Sequence, residues 1–188
     1  MRKMLASAAA AAIVLAPAIV LAPAAMAETV EVDPAAYAGL WYEIARTPAP
    51  FQAQCDGGVT AHYELIDDET VGVLNRCDLL GGAVSRVEGR AEVVGDDFAR
   101  LSVAFPGPPE DERVDYRVEA LGPEEDGAYA WAAVTGGDRE IGWILAREPE
   151  LDQEARAEAE AALEAAGIDI GMLQDTEQPP QNYDPEEE

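Results

Sequence analysis

His62 is the only histidine in the sequence, Cys55 and Cys77 are the only cysteines, and Lys3 is the only lysine. These residue types carry most nucleophilic and metal chemistry. Two cysteines and one histidine leave too few ligands for a dedicated zinc site. Asp67-Asp68-Glu69 gathers oxygen donors, but no EF-hand spacing follows, so it reads as a solvated turn with no metal. A thiol nucleophile would need a base partner, and there is no local Cys-His motif. A reactive thiol is therefore the sharper reading of the cysteines and a structural pair the plainer one. Beyond Lys3 the chain has no lysine for Schiff-base chemistry. No catalytic set and no cofactor motif emerges.

The ends of the chain set the compartment. Arg2 and Lys3 precede an apolar stretch from Leu5 to Ala25, and Ala25-Met26-Ala27 supplies a small-x-small pattern. That is the form of a secretory signal peptide over residues 1–27, cleaved after Ala27. The stretch is long enough to span a bilayer, but Pro17, Pro23 and the cleavage pattern argue against an anchor. No cysteine lies near the cleavage point, so no stable membrane attachment is expected, and the product is periplasmic or secreted. In an oxidising compartment an even cysteine pair reads as a disulfide, Cys55 to Cys77. Asp175–Glu188 is proline-rich and acidic, which predicts a disordered tail.

Residues 28–174 are enough chain for one domain with a real core. Residues 28–188 carry ten arginines against all 38 acidic residues, a net charge of −28. Such a chain repels nucleic acid and anionic lipid headgroups. Its acidity also suits a solvated surface in a salty medium.

The middle of the chain alternates short β-like runs with turn signals. The runs are Leu40–Thr47, Val59–Ile66, Val71–Cys77, Ala83–Val94, Phe98–Phe105, Val114–Leu121, Ala128–Thr135 and Glu140–Arg147. The second and third form a hairpin that brings Cys55 and Cys77 to the same end. Eight consecutive strands with mostly short connections predict an all-β fold: an antiparallel up-and-down meander closed into a barrel, since closure removes both edges. The period then changes. Leu151, Ala155, Ala159, Ala162, Leu163 and Ala166 recur at helical spacing before Gly167. One C-terminal amphipathic helix should pack on the outside of the barrel.

The first strand, Gly39-Leu40-Trp41-Tyr42-Glu43-Ile44-Ala45-Arg46, resembles the G-x-W signature of the lipocalins. Its fuller form is that of the bacterial outer-membrane lipocalin and apolipoprotein D group. The likeness continues through Val59-Thr60-Ala61-His62-Tyr63, Val73-Leu74-Asn75-Arg76-Cys77 and Leu101-Ser102-Val103-Ala104-Phe105, and ends at Trp143-Ile144-Leu145-Ala146-Arg147. It covers roughly residues 33 to 174. The resemblance implies a barrel with room for one small ligand, a use of eight-stranded barrels that is general to this family. It also implies that Trp41 plugs the closed end beneath Arg147, with Gly39 allowing a tight entry into the strand.

If Trp41 points inward, strand alternation turns Glu43 and Ala45 the same way. Tyr63, Leu101, Val103, Phe105, Tyr116 and Val118 then face inward on later strands. Trp131 and Trp143 lie on strands apolar on both faces, and Phe51 borders the open end. The expected ligand contacts are Glu43, Ala45, Phe51, Tyr63, Val103, Phe105, Tyr116, Val118 and Trp131. His62 falls on the solvent face. A carboxylate at Glu43 in an apolar cavity needs either a raised pKa or a basic partner. The resemblance implies an exported carrier of a small hydrophobic or amphipathic molecule, such as a fatty acid or lysophospholipid, and no enzyme. The competing readings are a protein-binding or inhibitor module on the same barrel and an enzyme using Cys55 or His62. A homodimer is compatible with either binding reading.

Overall fold

Alternation of buried and exposed residues builds the walls. In the fifth strand Ala99, Leu101 and Val103 are buried while Arg100 is exposed. The computed structural model describes residues 30–95, 97–106, 113–136 and 139–179. The expected signal peptide, residues 1–27, and residues 180–188 of the expected tail lie outside the described residues. Eight strands run in sequence: β1 (Gly39–Arg46), β2 (Cys55–Leu65), β3 (Thr70–Leu79), β4 (Val84–Val94), β5 (Asp97–Ala104), β6 (Arg113–Leu121), β7 (Trp131–Gly136) and β8 (Ile141–Ala146). Each pairs antiparallel with the next, and β8 pairs back onto β1. The sheet is a closed eight-stranded up-and-down barrel, as the meander predicted. Before β7 the chain makes a small ribbon, Glu124–Glu125 with Ala128–Tyr129, so the seventh strand starts three residues later than its apolar run.

A short helix, α1 (Pro34–Tyr37), closes one end. Asp33 caps it by accepting from the Ala35 N–H at 2.9 Å, and Pro34 occupies the first position. Tyr37 and Trp41 are buried together at the closed end, ring centroids 5.0 Å apart. The second helix, α2 (Gln153–Ala165), lies on the outer wall over β6, β7 and β8. Asp152 caps it by accepting from the N–H groups of Glu154 and Ala155. Its Ala159 and Leu163 pack with Ile144, Ala146 and Ile168 in a second core outside the barrel.

The expected tail departs from expectation where it begins. Gln174–Asp175 forms a short strand, β9, on the free side of the upper half of β1. The chain then stays bonded. The Thr176 N–H donates to the Ile44 carbonyl at 2.9 Å, and the Gly58 N–H donates to the Glu177 carbonyl at 2.8 Å. The Gln178 amide donates to the carbonyls of Glu43 and Val59. Composition alone misjudges this segment, because its binding comes from main-chain hydrogen bonds to an irregular strand and needs little apolar surface.

Candidate functional site

The barrel interior has two halves. The closed half is packed solid around Trp41. The indole N–H donates to the Tyr37 carbonyl at 2.8 Å, and the Arg147 guanidinium stacks over the ring at 3.8 Å from its centroid. The same guanidinium donates to the carbonyls of Leu40, Ala36, Tyr37 and Ala38 at 2.7–3.1 Å. It therefore ties α1 to β1 at the end of β8.

The other half is a cavity of about 540 Å³. Its surface is mostly apolar, with an aliphatic residue from each of seven strands, Val59 and Ala61 from β2, Val73 from β3, Val87 from β4, Val103 from β5, Val114 from β6, Val134 from β7 and Leu145 from β8, and with polar side chains that include Gln54, Asn75, Arg76 and Ser85. Phe51 and Trp143 stand together at the mouth, ring centroids 6.2 Å apart, with Phe51 57 % exposed. Cys55 and Cys77 are joined in a disulfide beside the same opening, Cα atoms 5.5 Å apart. Two glycines make room for aromatic rings lying flat on the wall. A Cβ at Gly89 would meet the Phe105 ring at 2.6 Å, and one at Gly136 would meet Trp143 at 2.9 Å.

Glu43 is buried and lines this cavity. Its carboxylate accepts from Arg46 at 2.9 Å and from the Thr176 hydroxyl on one oxygen, and from the Gln52 amide at 2.8 Å on the other. Gln52 in turn accepts from the Trp143 indole N–H at 3.0 Å. Of the two arrangements expected for Glu43, the structure provides the basic partner. Asp115, also on the lining, is paired with Arg117 at 2.6 Å.

Tyr63 and Tyr116 both line the cavity, and Tyr37 lies behind them in the closed half. The Tyr37 and Tyr116 hydroxyl oxygens are 2.6 Å apart, and the Tyr63 hydroxyl donates to that of Tyr116 at 3.2 Å. Burial pushes the Tyr63 phenol up to about 12. Tyr37 and Tyr116 are likewise raised well above their ordinary value, first by burial; Tyr63 adds to both and Tyr37 adds to Tyr116, while the hydrogen bond with Tyr116 and the charge of Arg147 pull Tyr37 back.

Of the nine expected ligand contacts, Glu43, Phe51, Tyr63, Val103, Phe105 and Tyr116 stand on the cavity. Three do not. Val118 is buried in the interior core away from the cavity surface. Ala45 faces outward, into the core under α2. The pairing of β1 with β8 slips between Glu43 and Ala45, so a β-bulge inserts Ile44 and reverses the alternation after Glu43. Trp131 also faces outward beneath α2, over Gly122, where a Cβ would meet the indole at 2.4 Å. Its strand is buried along its whole length, so periodicity carries no information on which face is inside. Sequence reasoning missed Gln52, Thr176 and Tyr37. For Tyr37 a signal existed in Asp33-Pro34, a helix start that would have placed it; for Thr176 there was none.

The lipocalin-like domain family matches residues 32–178 of this chain. The outer membrane lipoprotein Blc of Escherichia coli (strain K12) is 34% identical over 178 residues, covering 94% of this chain and 96% of that protein. Apolipoprotein D of Mus musculus is 30% identical over 149 residues, covering 76% and 75%. Among solved structures, apocrustacyanin C2 superposes with a TM-score of 0.63 at 18% identity, covering 78% of this chain and 79% of that one. The G-x-W strand at the barrel's closed end, the arginine stacked on its tryptophan, the closed meander and the outer helix agree with these matches, and the chain belongs to the lipocalin family.

Proposed function

We propose that this protein is an exported carrier that holds one small hydrophobic or amphipathic molecule in the open half of its barrel and catalyses no reaction. The observation that carries the reading is the cavity of about 540 Å³, largely apolar with a few polar side chains and opening at one end, a size and character suited to small-molecule sites. Tyr63, Val103, Phe105 and Tyr116 are the proposed contacts for the apolar part, with Phe51 and Glu43 nearer the polar end. Each methylene moved from water into such a space gains about 0.8 kcal/mol. About ten methylenes would gain roughly 8 kcal/mol before the cost of association, so micromolar binding is the scale expected. Export is supported by the disulfide, which belongs to oxidising compartments. The same bond consumes both cysteines, so neither is a thiol nucleophile or a site for attached lipid.

Trp143 lines the cavity, so its fluorescence reports occupancy. Titration with palmitic acid, 1-palmitoyl lysophosphatidylcholine and retinol should show saturable micromolar binding of at least one of them. A charge placed in the wall by Tyr116→Asp should weaken it at least about tenfold, given the cost of burying an unpaired carboxylate. No saturable binding of any of these probes, or binding indifferent to that charge, overturns the carrier reading.

A further inference from the structure

The three tyrosines at the inner end of the cavity do not balance their own protons. Three hydroxyls bring three O–H donors. The cluster makes two contacts, Tyr37 with Tyr116 and Tyr63 with Tyr116, and no other acceptor for them is present among the described residues. Two contacts use two protons, and one is left.

Its position follows from burial. If it stayed on Tyr37 it would be shut into the packed closed half with nothing to accept it. A buried unpaired donor is among the costlier defects a core can hold. The arrangement that avoids this has Tyr37 donating to Tyr116. With Tyr63 also donating to Tyr116, the Tyr116 oxygen accepts twice and its own hydrogen is free. If the second contact runs the other way, the free hydrogen is on Tyr63. Both of these residues line the cavity and Tyr37 does not. In either case one hydroxyl donor is offered to whatever occupies the inner end.

The surroundings define the acceptor. The residues paired with the two tyrosines across the sheet are apolar, Val73 beside Tyr63 and Leu101 and Gly136 beside Tyr116, and Asp115, the carboxylate next to Tyr116, is held by Arg117. Arg147, which acts on Tyr37, lies beyond Trp41 with its guanidinium already engaged by carbonyls, and Arg76, the arginine on the cavity lining, stands next to Cys77 toward the mouth. A carboxylate placed here would be desolvated against a single neutral donor, which is poor compensation for a charge. A neutral oxygen is matched by one O–H.

We infer that the cavity is built for an amphiphile with a neutral oxygen acceptor, a ketone, ester or ether, at or near the end of the chain that enters first. The cavity is thus tuned to oxygenated chains over plain hydrocarbon ones, and the tyrosine cluster determines that specificity. This rests on the carrier reading above and names the class of molecule carried.

The test uses a matched pair with one headgroup: 1-hexadecanoylglycerol and its 15-oxohexadecanoyl counterpart. Affinities for the whole protein are read from Trp143 fluorescence. The oxo compound should bind about ten times more tightly, since the plain chain leaves the donor unpaired. Tyr63→Phe combined with Tyr116→Phe removes both candidate donors and should bring the two affinities together, whatever their common level. A β-sheet circular dichroism spectrum and a cooperative melting transition show that the variant is folded. Equal binding of the two compounds by the wild-type protein overturns the inference and leaves the carrier reading standing. A preference for the oxo compound that survives the double substitution also overturns it. Failure of both compounds, together with the probes above, removes the carrier reading itself.

Discussion

At the scale of single residues, the barrel separates those that hold the closed end from those that border the cavity. Trp41 is fully buried and Arg147 both stacks on it and ties down five carbonyls, those of Ala36, Tyr37, Ala38, Leu40 and Tyr129. Trp41→Ala should therefore damage stability far more than recognition. Removing a buried aromatic of this size costs about 3–5 kcal/mol, read as a lower denaturation midpoint. A variant that keeps its midpoint but loses ligand would reassign Trp41 to the binding site. The tyrosine cluster gives a second prediction. Its phenols are raised by burial, Tyr63 to about 12. The folded state thus holds these protons more tightly than the unfolded chain, in which tyrosine titrates near its ordinary value of about 10. Their contribution to stability is complete below about pH 10 and shrinks as pH rises above it, that of Tyr63 being lost through about 12. Phenolate absorbance should show part of the tyrosine titrating late and together with unfolding. A single transition near pH 10 for all tyrosines, with the fold intact, would contradict the cluster.

At the scale of elements, the segment from Gln174 to Gln178 is the least anticipated feature. It adds a strand to β1, caps the bulge at Ile44 and supplies Thr176 to the carboxylate of Glu43. Gly57 lies directly under it: a Cβ there would meet the Glu177 carbonyl oxygen at 2.6 Å. Gly57→Ala should push the segment off β2, cost about 1–3 kcal/mol through the broken bonds, and speed amide exchange at Gly58 and Thr176. Unchanged exchange at those two amides would show that the segment does not depend on this approach. The same region marks the limit of what sequence reveals. The eight β-like runs are legible from the turn signals between them, the late helix from its period, and the inward faces of β2, β5 and β6 from the alternation of apolar with polar or charged residues along each. Ala45 was misplaced because a bulge of one residue flips every later side chain and leaves no trace in composition. Trp131 was misplaced because its strand is buried on both faces, one by the cavity half and one by α2. The network from Glu43 through Gln52 to Trp143 joins residues 91 apart at its last bond, a proximity that only the closed barrel creates.

At the scale of the whole molecule, charge is the dominant fact. With ten arginines against 38 acidic residues beyond the expected leader, at least 28 carboxylates have no arginine of their own. Folding gathers these charges into a smaller volume, so self-repulsion works against the native state. On α2 the imbalance is local: Glu154, Glu158 and Glu164 are exposed, and the helix's single arginine, Arg156, is engaged with Glu160 and Asp175. Salt shortens the range of this repulsion, from about 30 Å at 0.01 M to about 10 Å at 0.1 M and about 3 Å at 1 M. The melting temperature should therefore climb steeply between 0.01 and about 0.1 M sodium chloride and then level off. Each 1 kcal/mol relieved corresponds to about 2–4 °C for a domain of this size. Replacing Glu154, Glu158 and Glu164 by glutamine should raise the melting temperature at 0.01 M and flatten its rise with salt. The comparison isolates charge, because glutamine keeps the helix propensity and nearly the shape of glutamate. A melting temperature that stays level or falls on adding salt would mean that ion pairing outweighs repulsion in this fold. An unchanged slope in the triple variant would place the repulsion elsewhere than on α2.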